Sequence, residues 1–485
     1  MSGAPSGGTT GLMAGLFARK SSLGDGDEGL RRSLGTGDLL FLGVGATVGA
    51  GLFSLTGIAA ADYAGPAVVL SLAVAAIGCV LTGLCYGEMA GMVPSAGSAY
   101  AYAYAALGEL AAWIIGWDLL MEYAIGAATV ASSWSSYLHS LLAGFGLAFP
   151  QRWASVPAAG GLVDAPAIVI LVALSVLLVG GVRESARVNA VFVILKVGVV
   201  LTVCGLGAFF IDPANYHPFV PANTGTFGAF GWSGVLRGAG VVFFAYLGFD
   251  AVSTTAAEAK DPQRAVPVGI LGSLAICTVL YIAFAAVLTG LVPYTQMHGD
   301  AAPVATAIGK TPFPWLQVAV KLGVLVGFTS VLLVGLLGQG RVMFAMARDG
   351  MLPAVLGRLH PTRKTPWAAH AAMGTLNVAL AGFVPVEQLS RLTSIGTLLA
   401  FAIVCGGVLV LRVREPDRPR PFRVPWSPLV PLLGIGACLG LMAFLPGDSW
   451  LRMAGWLALG LAVYFGYSHR GAAAVRRSAT AADDK

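Results

Sequence analysis

Apolar stretches long enough to cross a bilayer, about 20 residues each, recur along this chain. They lie near 38–61, 65–93, 108–142, 162–182, 186–211, 231–256, 265–292, 315–347, 366–384, 388–413, 428–446 and 449–468. Backbone in hydrocarbon must satisfy its own hydrogen bonds, so runs of this length read as helices. Twelve of them predict an all-α polytopic membrane protein with both ends on one side. Only 11% of the residues are charged, whereas a soluble domain carries about 25%. The 65 glycines fit membrane helices whose backbones approach closely. The runs divide the chain into a tail over 1–37, a first set of five over 38–211, a second five over 231–413, a further pair over 428–468, and a tail over 469–485.

Lysine and arginine collect on the cytoplasmic side of membrane proteins. With the N-terminus inside, the inner segments hold twenty-two of them and the outer loops four: Arg152, Lys310, Arg391 and Arg452. Both termini are therefore expected in the cytoplasm. The net charge of +6 reports this topology, and basic residues scattered over loops give no nucleic-acid patch. The first 37 residues lack a basic segment leading into an apolar core and a cleavage site, so they read as a tail rather than a signal peptide. The six cysteines sit in or beside apolar runs, and the six histidines form no metal-binding pair. Nothing in the sequence requires a metal or other cofactor.

The first run contains GVGATVGAGLF (43–53), with four glycines in eleven residues. These are weak helix formers placed where the backbone has no other partner. Thr47 to Gly51 lie about 14 to 20 Å along the run, near the midplane. The sixth run has its own interruption, FFAYLGFD (243–250), at similar depth when entered from outside. One glycine-rich helix marks close packing as readily as unwinding. Two interruptions, each opening a set of five, point to an inverted repeat, because five is odd and the second set enters from the opposite face. Unwinding exposes amides at the start of the outer half of run 1, where an anion binds. It exposes carbonyls at the ends of the inner half of run 1 and the outer half of run 6, where a cation binds. Donors facing acceptors suit a zwitterion, and a free amino acid is the simplest one.

The stretches GVGATVGAGLFSLTG (43–57), VPSAGSAYAYAYAALGELAAWIIGWDLLMEY (93–123), FFAYLGFDAVSTTAAEAKDPQRAVPVGI (243–270), GQGRVMFAMARDGMLP (338–353) and RPFRVPWSPLVPLLGI (420–435) carry a family resemblance. They resemble the cationic amino acid transporter family of the amino acid–polyamine–organocation superfamily, over nearly the whole chain. The resemblance implies the leucine-transporter-type fold: a 5+5 inverted repeat with spans 1 and 6 broken, two extra helices, and substrate between spans 1, 3, 6 and 8. It implies a secondary transporter of L-amino acids in the bacterial inner membrane, for cationic ones such as arginine, lysine and ornithine, small neutral ones such as alanine, or both. Bacterial-type members with twelve spans typically couple uptake to protons, while animal members with fourteen often act as facilitators. The count here favours coupling, with exchange as the alternative. Carried over by position, Thr47, Val48, Gly49, Ala50 and Gly51 hold the substrate carboxylate. Phe244, Ala245, Tyr246 and Leu247 take the ammonium and shape the side-chain pocket, Phe244 closing over it from outside. Gly335 either leaves room for a side chain longer than alanine or serves close helix packing.

Lys196, in VFVILKVGVVL, lies about eleven residues into run 5 and hence at mid-membrane depth; it suits a packing lysine tethered by backbone carbonyls or snorkelling, though depth argues against snorkelling, or a functional one. A charge there is costly unless paired. Its ammonium would bond the freed carbonyls of span 1 and release a proton during the cycle, the role assigned to a lysine at this point in the resembling bacterial transporters. Thr329 and Ser330 would complete that pocket, or bond back to their own helix. Glu122, with Asp118 four residues earlier on one face, suits a hydrogen-bonding strut, a proton-titrating gate or an anionic end to the pocket. Glu88 and Glu109 read as solvated or loop-anchoring, Asp250 as a cap on the inner half of span 6, Lys321 as snorkelling, and Arg237 as an outer-gate residue. An intramembrane enzyme would need a nucleophile with a positioned base or a metal cluster, and a channel a filter motif or rings of pore residues. Neither fits one long chain with two broken helices. A carrier does, with an amino acid, protons and the bilayer as its partners.

Overall fold

The structure is a computed structural model that describes residues 15–19, 30–49, 51–147, 149–298, 303–384, 395–443 and 447–483. Among these, every regular element is helical. The longer α-helices are α1 (Thr36–Thr47), α2 (Val68–Met92), α3 (Ala99–Ala106), α4 (Glu109–Gly144), α5 (Ala165–Gly180), α6 (Val182–Gly207) and α7 (Gly231–Phe243). They continue as α8 (Pro262–Leu291), α9 (Pro314–Arg348), α10 (Trp367–Phe383), α11 (Ile395–Arg414), α12 (Leu429–Ala443), α13 (Gly447–Val463) and α14 (His469–Asp483). Each apolar run of the sequence holds one of these helices, which leaves α3 and α14 over. Six described stretches are long and apolar enough to cross a membrane: Gly51–Met92, Glu109–Gly144, Ser185–Phe210, Pro262–Leu291, Pro314–Arg348 and Ile395–Arg414. Large apolar side chains stand more than half exposed on the periphery, among them Val169, Val176, Val191, Ile194 and Val279. An apolar outer belt of this kind fits a polytopic protein in lipid.

Proline placed where no amide is needed starts α5, α8 and α9. The Asp164 carboxylate caps α5 by accepting from Ala167 N at 3.1 Å. Inside the bundle α1 is central, packed on α6, α8 and α9, while α4 runs beside α9 and α10. The end of the chain folds back onto α4. Trp117 and Trp456 stack with ring centroids 4.6 Å apart and exchange indole hydrogen bonds to each other's carbonyls at 3.0 and 3.2 Å. Beyond them, the Glu109 carboxylate accepts from Tyr464 OH at 2.7 Å and contacts His469 and Arg476. The stretch read as a C-terminal tail is therefore mostly a docked helix.

Two helices are interrupted. α1 stops at Thr47 and Val48 is extended, with φ −75° and ψ 99°. The chain resumes with Leu52 N donating to Gly49 O at 3.1 Å and a π-helical turn, Gly51–Leu55. α7 stops at Phe243, passes through the 3-10 turn Phe244–Tyr246, and turns at Gly248, whose φ of +117° requires glycine. It goes on as a 3-10 helix, Phe249–Glu258, with every residue buried. The two interruptions cross: a Cβ on Gly51 would lie 2.3 Å from Ala245 Cα, and one on Gly248 would lie 2.9 Å from the Ala46 carbonyl carbon. Earlier in GVGATVGAGLF, Gly43 abuts Ser273 and Gly45 abuts Asn189. None of the four glycines in that stretch has left-handed backbone; what they lack is room for a side chain.

Candidate functional site

At the crossing lies a cavity of ≈ 140 Å³, room for on the order of ten waters. Thr47, Gly49 and Gly51 line it from the first interruption, and Ala245, Leu247 and Gly248 from the second. α4 adds Glu122, Gly126 and Val130, which fall on one helical face at a spacing of four. α9 adds Val331 and Gly335 in the same way. A Cβ on Gly126 or Gly335 would meet nothing within 4 Å, so these glycines hold space open instead of packing helices together.

Other expected residues stand around the cavity. Tyr246 turns away, its hydroxyl donating to Leu72 O at 3.2 Å, and Val48 contributes its carbonyl to a different contact, described below. Ala50, the side chain of Phe244, and Arg391 lie outside the described residues. Tyr281 on α8 carries no signal in the sequence. Its hydroxyl lies 2.7 Å from Thr47 O and 2.9 Å from Ala245 O, one donor shared by the carbonyls of both interruptions, so Ala245 O is already engaged. In Tyr281→Phe both buried acceptors lose that donor, a loss of about 1–3 kcal/mol. The variant should melt at lower temperature and bind substrate more weakly than wild type; unchanged values in a thermal-shift titration would show the hydroxyl to be idle.

Behind the first interruption Lys196 is completely buried. Its ammonium donates to Gly45 O at 2.8 Å, Val48 O at 2.7 Å and Ser330 Oγ at 2.6 Å. Three donors meet three acceptors, and all three are neutral oxygens at the end where α1 runs out of amides. Ser330 also reaches Gly45 O at 3.0 Å. Thr329 does not join this group: it bonds back to Leu325 O at 2.8 Å and accepts from Trp134 Nε1 at 3.0 Å.

The α4 side of the cavity is acidic. Thr397 donates to Glu122 Oε1, while Glu122 Oε2 is buried without a hydrogen bond among the described residues. Asp250 accepts from Gly248 N at 3.2 Å, the expected cap, and from Tyr123 OH at 3.1 Å. Below it Ser253 Oγ and Ser98 Oγ lie 2.5 Å apart, and Arg341 pairs with Glu258, both buried. Glu88 and Glu109 are fully buried rather than solvated. Glu88 anchors a loop, as one of its two expected roles required, taking Arg412 Nη2 at 2.5 Å and Val424 N at 2.7 Å. Lys321 donates to Ser140 O at 3.1 Å, and Arg237 lies over the Tyr63 ring at 5.1 Å.

The family model described as amino acid permease matches residues 34–462. The chain is 42% identical over 465 residues to the methylthioribose transporter of Bacillus subtilis (strain 168), covering 94% of this chain and 99% of that protein. It is 42% identical over 468 residues to the branched-chain amino acid permease BcaP of the same organism, with the same shares covered. It is 38% identical over 403 residues to the vacuolar cationic amino acid transporter 4 of Arabidopsis thaliana, covering 81% of this chain and 65% of that protein.

Proposed function

From the premise that the chain belongs to the amino acid permease family, we propose that it takes up L-amino acids by proton-coupled alternating access. On this reading twelve spans cross a bacterial inner membrane. Residues 38–211 and 231–413 form inverted fives, 428–468 form the added pair, and the tails 1–37 and 469–485 are cytoplasmic. The observation that carries the proposal is the cavity at the crossing of two interrupted helices. A helix start after Gly49 offers amides to a carboxylate, and the carbonyls of Phe244, Tyr246 and Leu247, with Ala245 O held by Tyr281, receive the ammonium. The substrate side chain lies between Val130 and Val331, with Gly126 and Gly335 leaving depth for it. A cationic head meets Glu122 Oε2. Lys196 carries the proton.

The three relatives are named for methylthioribose, branched-chain amino acids and cationic amino acids, so the test is a panel. Uptake into liposomes of purified protein, and thermal shifts at two pH values, should respond to a subset of the common amino acids and rise with an inward proton gradient. If no amino acid competes and methylthioribose does, the amino acid reading fails. Uptake that needs internal substrate, without a gradient, would identify an exchanger. Gly335→Met should reduce uptake of long side chains by about tenfold or more, since lost depth removes whole methylene contacts, while sparing alanine. Equal effects on alanine and the longest substrate would place Gly335 outside the side-chain pocket.

A further inference from the structure

α6 grips the interrupted helix at two levels. Lys196 holds its open end. Asn189, seven residues earlier, is also completely buried and donates from Nδ2 to Phe41 O at 2.9 Å. Its carboxamide lies flat on Gly45: a Cβ there would come within 2.5 Å of Oδ1 and 2.6 Å of Nδ2. Gly45 is the residue whose carbonyl accepts from both Lys196 and Ser330. The Phe41 carbonyl fixes the amide's orientation, which leaves Oδ1 buried with no hydrogen-bond partner among the described residues. An apolar side chain of this volume would fill the site without that cost, so packing alone does not account for asparagine here.

We propose that Asn189 is a positioning residue for proton coupling. It holds the inner half-helix α1 on α6 in the register where the Gly45 and Val48 carbonyls meet the Lys196 ammonium, and it keeps α1 attached when that ammonium gives up its proton. The inference rests on Lys196 as the proton carrier. The two grips differ in kind. The lysine contacts are charge-assisted and lose a donor on deprotonation, whereas the amide contact is neutral and indifferent to pH. α1 then pivots about Phe41 instead of separating. Among the described residues, Cys277 of α8 is the other titratable side chain that interacts with Lys196; α1 and α9 present carbonyls and the Ser330 hydroxyl to it.

The test uses full-length protein in liposomes and three variants: Asn189→Leu, Asn189→Asp and Lys196→Ala. Asn189→Leu should lower gradient-driven accumulation by about tenfold while exchange of internal for external amino acid at equal pH stays within about threefold. Asn189→Asp, close to asparagine in volume, places a carboxylate about two helical turns before Lys196 and should move the pH profile of accumulation to higher pH. Accumulation and exchange falling together, neither falling, or an unmoved profile in Asn189→Asp would each overturn the proposal. If Asn189→Leu fails to insert, the Asn189→Asp profile decides alone. Lys196→Ala separates the two readings. If it retains accumulation, the proton-carrier reading falls and takes this one with it; if it loses accumulation while Asn189→Leu keeps it, only the role of Asn189 falls.

Discussion

Lys196→Ala is expected to abolish accumulation driven by a pH gradient while leaving amino acid binding measurable. Among the described residues the lysine ammonium hydrogen-bonds no cavity-lining side chain; it reaches the crossing from behind, through Gly45 O, Val48 O and Ser330 Oγ. Removing it takes a donor from two buried backbone acceptors, each worth about 1–3 kcal/mol when left unpaired. The end of α1 is thereby freed at every pH. In wild type that release should follow the proton: uptake rises as the external pH falls, because the protonated lysine fastens α1 and its deprotonation lets go. The variant should show a flat pH profile. Liposomes with an imposed gradient, compared with substrate-induced thermal shift, separate transport from binding. Intact accumulation in the variant would refute coupling through Lys196, and Lys196→Met, which keeps most of the volume, guards against collapse of the site.

The second large effect concerns the crossing itself, and it divides two glycines that look alike in sequence. A Cβ on Gly51 meets the backbone of Ala245 at 2.3 Å, whereas one on Gly49 meets the tip of Val331 at 2.6 Å. Side chains rotate away; a crossing backbone does not. Gly51→Ala should therefore force the interruptions apart, at a cost of about 1–3 kcal/mol, and lower affinity by roughly ten- to a hundredfold. Gly49→Ala should be milder, and Gly49→Leu, which pushes a bulky chain into the cavity, should eliminate binding in a protein that still inserts. Binding retained in Gly49→Leu would reduce the stretch to packing. A Gly51→Ala protein with unchanged affinity would mean that the two interruptions do not form the site.

Both interruptions were legible because their signals are local: glycine, aromatic and a lone acid are out of place within an apolar run. Lys196 was legible for the same reason, since a charge at that depth needs freed carbonyls. Gly126 and Val130 stand one and two turns from Glu122, and Val331 one turn before Gly335, so helical spacing held a signal for them that was not used. Tyr281 held none, as nothing around a tyrosine in an apolar run tells which carbonyl its hydroxyl meets. Thr329 and Ser330 are adjacent hydroxyls on one helix, and only their rotation about the helix axis assigns one to Lys196 and the other to Trp134. Of the two roles expected for Glu109, solvated or loop-anchoring, burial rules out the first, for a physical reason. Its partner Tyr464 is 355 positions away, and depth in the bundle there is set by chain that local reading does not reach.

That distance also orders events during synthesis. The carboxylate that opens α4 is buried by Tyr464, His469 and Arg476, and α4 is latched through Trp117 to Trp456, residues that leave the ribosome long after α4 itself. A nascent chain carrying α4 therefore holds an acid at its membrane boundary that must stay hydrated until those residues arrive, because burying it unpaired is too costly. This side of α4 seals only once those residues have been made. A product cut short before Trp456 keeps that acid wet and Trp117 bare.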